Sequence, residues 1–98
     1  MTLRVQWRTG AALVYSKEFR FYENIREGLG QDLELQVEVS QQRVLSNPYL
    51  WTAVTKNVRR ILVHRFPFIM YYKIHKGWIE VIGFRHAVMR QGRFTRNK

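Results

Sequence analysis

Val58 to Phe84 reads VRRILVHRFPFIMYYKIHKGWIEVIGF. Side chains alternate between apolar and polar along it, and Val, Ile, Tyr, Phe and Trp dominate, which predicts three strands: Val58 to Arg65, Phe68 to Ile74 and Trp78 to Phe84. The links, Phe66-Pro67 and His75-Lys76-Gly77, are too short for a crossover, so the strands are expected to form antiparallel hairpins.

Upstream of Val58 the period changes. Thr2 to Trp7 alternates, with Leu3, Val5 and Trp7 on one side, and reads as a further strand. Thr9 is placed to cap a helix starting near Gly10. Ala11, Tyr15, Phe19 and Tyr22, with Val14 and Ile25, recur every three or four residues as one apolar stripe. Lys17, Arg20, Glu23, Asn24 and Glu27 fall on the outer surface. Gly28-Leu29-Gly30 permits a tight reversal. A second helix is expected from Gln31 to about Ser46, with Leu33, Val37, Val44 and Leu45 inward and Asn47-Pro48 as its stop. Tyr49 to Lys56 reads as loop, and residues 87–98 as a basic tail that frays. The expected class is α+β in the order β-α-α-β-β-β: one domain over residues 1–98, a helical hairpin packed on a twisted antiparallel sheet.

The composition bounds the function. Hydrophobic residues make up 46% of the 98, enough to build a core and to argue against a disordered polyelectrolyte. With no cysteine, disulfide frameworks and thiolate metal sites are excluded. Three scattered histidines suggest no metal site, Gly28-Leu29-Gly30 lacks the lysine of a phosphate loop, and no cofactor is expected. No apolar run is long enough for a membrane span or a signal segment, so a cytoplasmic protein is expected. The net charge of +10 is unevenly spread. Residues 1–50 hold six cations and six acids; residues 51–98 hold eleven cations against Glu80 alone. Such a field attracts a polyanion, either nucleic acid or an acidic protein segment.

Several pieces together resemble the RelE/ParE toxin superfamily over roughly residues 3 to 94. They are the element order, Phe21-Tyr22-Glu23 with Gly28-Leu29-Gly30, the Asn47-Pro48 stop, Arg59-Arg60 leading a strand, Arg65-Phe66-Pro67-Phe68-Ile69-Met70-Tyr71-Tyr72, and a closing His86. The Gly-Leu-Gly turn and the Phe-Pro-Phe strand look more like the ParE and plasmid-stabilisation branch. The resemblance implies a type II toxin that inhibits growth by binding DNA gyrase and is neutralised by a cognate antitoxin with an acidic or amphipathic segment, in a hetero-oligomer. One alternative is a RelE-like ribosome-dependent mRNA interferase; another is an inactive homologue that acts as a binding or regulatory module. The C-terminus departs from the usual pattern. Met89 stands where relatives carry arginine, Gln91-Gly92 replaces Asp-Pro, and Phe94 replaces a tyrosine able to donate a proton.

A nuclease needs an acid, a base and cations for the developing phosphorus charge. Arg60, His86 and Arg90 are the candidates, with His64 and Arg85 nearby if the second and fourth strands adjoin. Strand parity puts Arg60 with Val58, Leu62 and His64, and Arg59 and Arg65 with Ile61 and Val63. Arg60 is favoured for binding because the resemblance places an arginine near it. The target-binding set is Arg59, Arg60, Arg65, Arg85, Arg90 and Arg93. Trp51, Tyr71 and Trp78 are the expected antitoxin contacts, with Trp51 in a loop the most exposed tryptophan. His75, in a hairpin turn, is expected in solvent.

Overall fold

The computed structural model describes residues 3–87. The strands are β1 (Arg4–Trp7), β2 (Thr52–Ala53), β3 (Val58–Val63), β4 (Phe68–His75) and β5 (Trp78–His86), and the helices are α1 (Thr9–Ile25) and α2 (Leu29–Ser46). One five-stranded sheet runs in the order β1-β5-β4-β3-β2. The helical hairpin covers one face and leaves the other open. The core lies between the layers, where Leu33, Val44, Val63, Phe68, Met70, Tyr72, Ile79 and Val81 are each at most 1% exposed.

The sheet is mixed, which corrects the antiparallel expectation. Val5 lies beside Ile79 and Trp7 beside Val81 in parallel register. The intervening helical pair carries the chain back across the sheet, so β1 can run alongside β5 without a hairpin. The expected loop from Tyr49 contains the two-residue β2, which pairs Thr52 with Arg60. The β3–β4 link is also wider than Phe66-Pro67. A two-residue hairpin needs a positive φ that proline cannot adopt, so β3 ends at Val63 and Arg65 takes the left-handed φ of 72°.

The helices differ in detail from the expected pattern. Thr9 is the first residue of α1; the capping position falls on Arg8, whose side chain makes no cap. Ala11 is buried and Tyr15 and Tyr22 pack on the core, but Val14 and Ile25 are 41% and 58% exposed. Glu23, expected on the outer surface, folds back onto the start of α2. Its carboxylate accepts the Gly28 and Gly30 N–H groups, each at 2.9 Å, satisfying donors the helix leaves unpaired and favouring its positive end. Gly28 has a φ of 92°, and a Cβ on Gly30 would sit 2.8 Å from the Phe19 carbonyl oxygen. Those two glycines allow the helices to meet across so short a turn.

An aromatic layer joins α1 to the sheet. Trp7 and Tyr15 have ring centroids 5.3 Å apart, Tyr15 and Phe84 5.5 Å, and Phe84 stacks on Phe68 at 4.9 Å. Full burial, as for Phe68 and Phe84, contributes about 1.5–3 kcal/mol per ring; the half-buried Trp7 and Tyr15 contribute less. Tyr72 is held differently: its hydroxyl donates to the Pro48 carbonyl at 2.6 Å, tying β4 to the end of α2.

Candidate functional site

Ile61 and Val63 are buried under the helices, so Arg60 and Leu62, with alternate parity, face away. Register extends the open face into rows. Thr52, Arg60, Tyr71 and Gly83 stand side by side across β2, β3, β4 and β5, followed by Leu62, Ile69 and Arg85. In the other direction lie Val58, Lys73, Glu80 and Gln6, then His75, Trp78 and Arg4. With no side chain on Gly83, the Tyr71 ring lies against the sheet there, and the Arg85 guanidinium stands 5.9 Å from its centroid. Leu62 is 61% exposed. The middle of the face is therefore the Tyr71 ring with the Arg85 guanidinium beside it and Arg60 as its cross-strand neighbour, bordered by Leu62 and Ile69. Such a surface can hold phosphates and stack a flat group, or seat an acidic amphipathic segment.

A bulge determines which residues of β5 join it. Tyr71 pairs with Gly83 but Tyr72 pairs with Val81, leaving Ile82 as the extra residue. Counting alternately from Ile79 and Val81 would put Arg85 under the helices and His86 on the open face. The extra residue reverses both. His86 pairs with Phe68, its ring centroid 5.0 Å away, and faces a cleft of about 340 Å³ shared with Lys17, Glu18 and Phe21. Its Nδ1 is buried without a hydrogen-bond partner among the described residues. Nor do β3 and β5 adjoin, since β4 lies between them. The structure brings Arg60 and Arg85 together on one face with Tyr71, and sets His86 on the other. Arg90 and Arg93 lie outside the described residues. Ala87, the first residue of the expected tail, is buried, and its N–H donates to the Pro67 carbonyl at 2.7 Å.

The remaining candidates take other places. Arg59 shares the helix-side parity and donates through Nη1 to the Tyr49 and Trp51 carbonyls at 2.9 and 2.7 Å, which fastens the loop before β2. Arg65 sits in the β3–β4 turn. Trp51 is half-buried against the core, with Nε1 donating to the Arg43 carbonyl at 3.3 Å. His75, half-buried rather than solvated, stacks on Trp78 at 4.1 Å and donates from Nε2 to Glu80 at 2.8 Å. Glu80 also accepts from Arg8 Nε at 3.0 Å. The His75 and Arg8 hydrogen bonds hold its carboxyl below the ordinary 4.5. Sequence reading grouped Leu62 with Arg60 but did not assign Arg4, Lys73 or Ile69 to this face. Parity along their strands is the signal that places them there.

Among the described residues no cluster of three or more His, Cys, Asp or Glu is placed to hold a metal ion, and no helix is long and apolar enough to cross a membrane. No protein-family model and no curated protein matches the chain. Among solved structures it resembles a chain of the chromosomal ParDE toxin–antitoxin system of P. aeruginosa, with a TM-score of 0.66 and 17% identity over 87% of this chain and 96% of that one. The E. coli RelE toxin, as a double arginine-to-alanine mutant in the free state, gives a TM-score of 0.67 and 14% identity over 97% and 93%. The isolated RelE toxin gives 0.63 and 16% over the whole of both chains. This is the RelE/ParE fold. At such identities the likeness is one of backbone architecture: a helical hairpin on one side of a mixed sheet, with the opposite side open. In this RelE/ParE fold the open side carries Arg60, Tyr71 and Arg85.

Proposed function

We propose that this chain is the toxin of a type II toxin–antitoxin pair and acts by binding, with DNA gyrase as its target and a cognate antitoxin as its inhibitor. Fold likeness to ParE and RelE chains over nearly the full length supports the toxin reading. The observation that favours binding over cleavage is the separation of His86 from Arg60 and Arg85 by the thickness of the sheet. His75, the other histidine on a described strand, lies four residues along β4 from Tyr71, roughly 13 Å at about 3.3 Å per residue. Both histidines are thus remote from the arginine pair as proton donors or acceptors, while His64 is exposed in the β3–β4 turn two residues beyond Leu62; the pair suits contact with an anionic surface. In this reading Arg60 and Arg85 meet the target, with Arg90 and Arg93 of the C-terminal segment joining them. Tyr71 and Trp78 contribute contacts to the antitoxin, whose acidic or amphipathic segment covers the cationic face; Trp51, half-buried against the core, does not join them.

A ribosome-dependent nuclease is the second reading, because the likeness to RelE equals that to the ParDE chain. That reading would use Arg60, His86 and Arg90. Induced expression with and without the adjacent open reading frame separates the two. The binding reading predicts growth arrest with DNA breaks and intact messages, relieved by the neighbour. Codon-positioned message cleavage abolished by His86→Ala would establish the nuclease instead. Normal growth on expression alone would contradict both.

A further inference from the structure

On the helical side, away from the arginine face, a cleft of about 170 Å³ opens between β1, α1 and α2, lined by Trp7, Tyr15, Glu34, Val37, Glu38 and Gln41. Its aromatic wall is fixed. Trp7 donates from Nε1 to Gln41 Oε1 at 2.6 Å, and its ring meets that of Tyr15 at 5.3 Å and 38°. Glu34 and Glu38, one helical turn apart on α2, form the opposite wall. Like charges at that spacing repel, yet neither joins the ion pairs formed among the described residues, both of which use Glu80. In a chain with 17 Lys and Arg this is an acidic, aromatic recess on a basic protein. Burial and then the two carboxylates push the Tyr15 phenol up to about 12, in keeping with a negative potential inside the cleft.

We propose that this cleft binds a guanidinium or alkylammonium group. Aromatic faces attract such cations through the ring quadrupole, and adjacent carboxylates supply directional charge-assisted hydrogen bonds. The volume matches the bulk space of about six water molecules at ~30 Å³ each. That suits one cationic head with its adjoining methylenes and is too small for a nucleotide. A hard divalent ion fits poorly, because it wants six or more oxygens and the Trp7 ring and Val37 that line the cleft offer none. The bound group comes either from an arginine or lysine side chain of a protein partner or from a free small cation; the recognition chemistry is the same.

The test follows the Trp7 indole N–H resonance of the whole ¹⁵N-labelled protein during titration with Nα-acetyl-arginine amide. The cleft predicts a saturable shift, absent with the isosteric but neutral Nα-acetyl-citrulline amide and absent with Mg²⁺. Glu34→Gln/Glu38→Gln should weaken binding at least tenfold while retaining the fold, since it removes a like-charge pair. An arginine-bearing peptide that binds tighter than the blocked amino acid would assign the group to a protein partner, and equal binding to a free cation. Equal shifts from the citrulline compound or from Mg²⁺, no shift at all, or undiminished affinity in the double variant would overturn the assignment.

Discussion

Two residues show how much the fold asks of single side chains. Tyr72 is fully buried and spends its hydroxyl on the Pro48 carbonyl. Burial pushes its phenol up to about 12, against a smaller opposing effect from Arg59. Because the folded chain holds this proton more tightly than the ordinary value of 10, the associated stability is complete below pH 10. It is lost as the pH rises through 12. Tyr72→Phe should cost about 1 kcal/mol at neutral pH, the net worth of one hydrogen bond, and should flatten part of that alkaline decline; urea denaturation at pH 7, 10 and 11.5 measures both. Tyr15, also raised to about 12, leaves the rest of the decline in place. Gly30 is constrained by space. A Cβ there meets both the Phe19 carbonyl and the Glu23 carboxylate at 2.8 Å. Gly30→Ala is expected to destabilise by roughly 1–3 kcal/mol despite alanine's better helix propensity, as thermal denaturation would show.

At the scale of elements, β5 decides whether Arg85 or His86 reaches the open face, and its bulge is the feature sequence reading handles worst. The period-two pattern of Val58 to Phe84 is legible because alternate residues meet either core or solvent. Parity groups Arg60 with Leu62, opposite Ile61 and Val63, and the burial of those two in the structure leaves Arg60 on the open face. Parity fails for Arg85 and His86, because Ile82 inserts one residue and reverses everything after it. An isolated glycine inside a strand, Gly83, is the one available hint. Deleting Ile82 should only regularise the pairing, because Gly83 would then follow Val81 directly and Arg85 would keep the open face. Inserting one alanine after Gly83 should instead turn Arg85 toward the core and His86 toward the open face. The expected loss for the insertion is at least about 2 kcal/mol, because an unpaired guanidinium would then be buried. Hydrogen exchange concentrated in β5, or outright failure to fold, would report it; wild-type stability of the insertion variant would contradict the account of the bulge. The parallel pairing of β1 with β5 was equally illegible, since strand direction depends on where the helical hairpin delivers the chain rather than on any local pattern.

Across the whole molecule, the helical hairpin and the sheet were legible because burial dictates their spacing. Charge was legible only as a total and its two halves. Folding sorts the cations into separate roles: Arg59 fastens a loop, Arg8 joins a network with Glu80 and His75, and Arg60, Arg85, Lys73 and Arg4 remain on the open face. An anionic partner on that face should associate at a rate that falls steeply between 50 and 300 mM salt, on the order of tenfold, and stopped-flow mixing with the cognate antitoxin would show it. Arg60→Ala/Arg85→Ala should lower both the rate and its salt slope without altering thermal stability, because neither side chain supports the core. The most direct measurement is gyrase supercoiling with the purified protein and this double variant. The account predicts that the wild type halts supercoiling at micromolar excess and that the variant loses at least tenfold in potency while folding normally. Supercoiling untouched by the wild type, or blocked equally well by the variant, would contradict it.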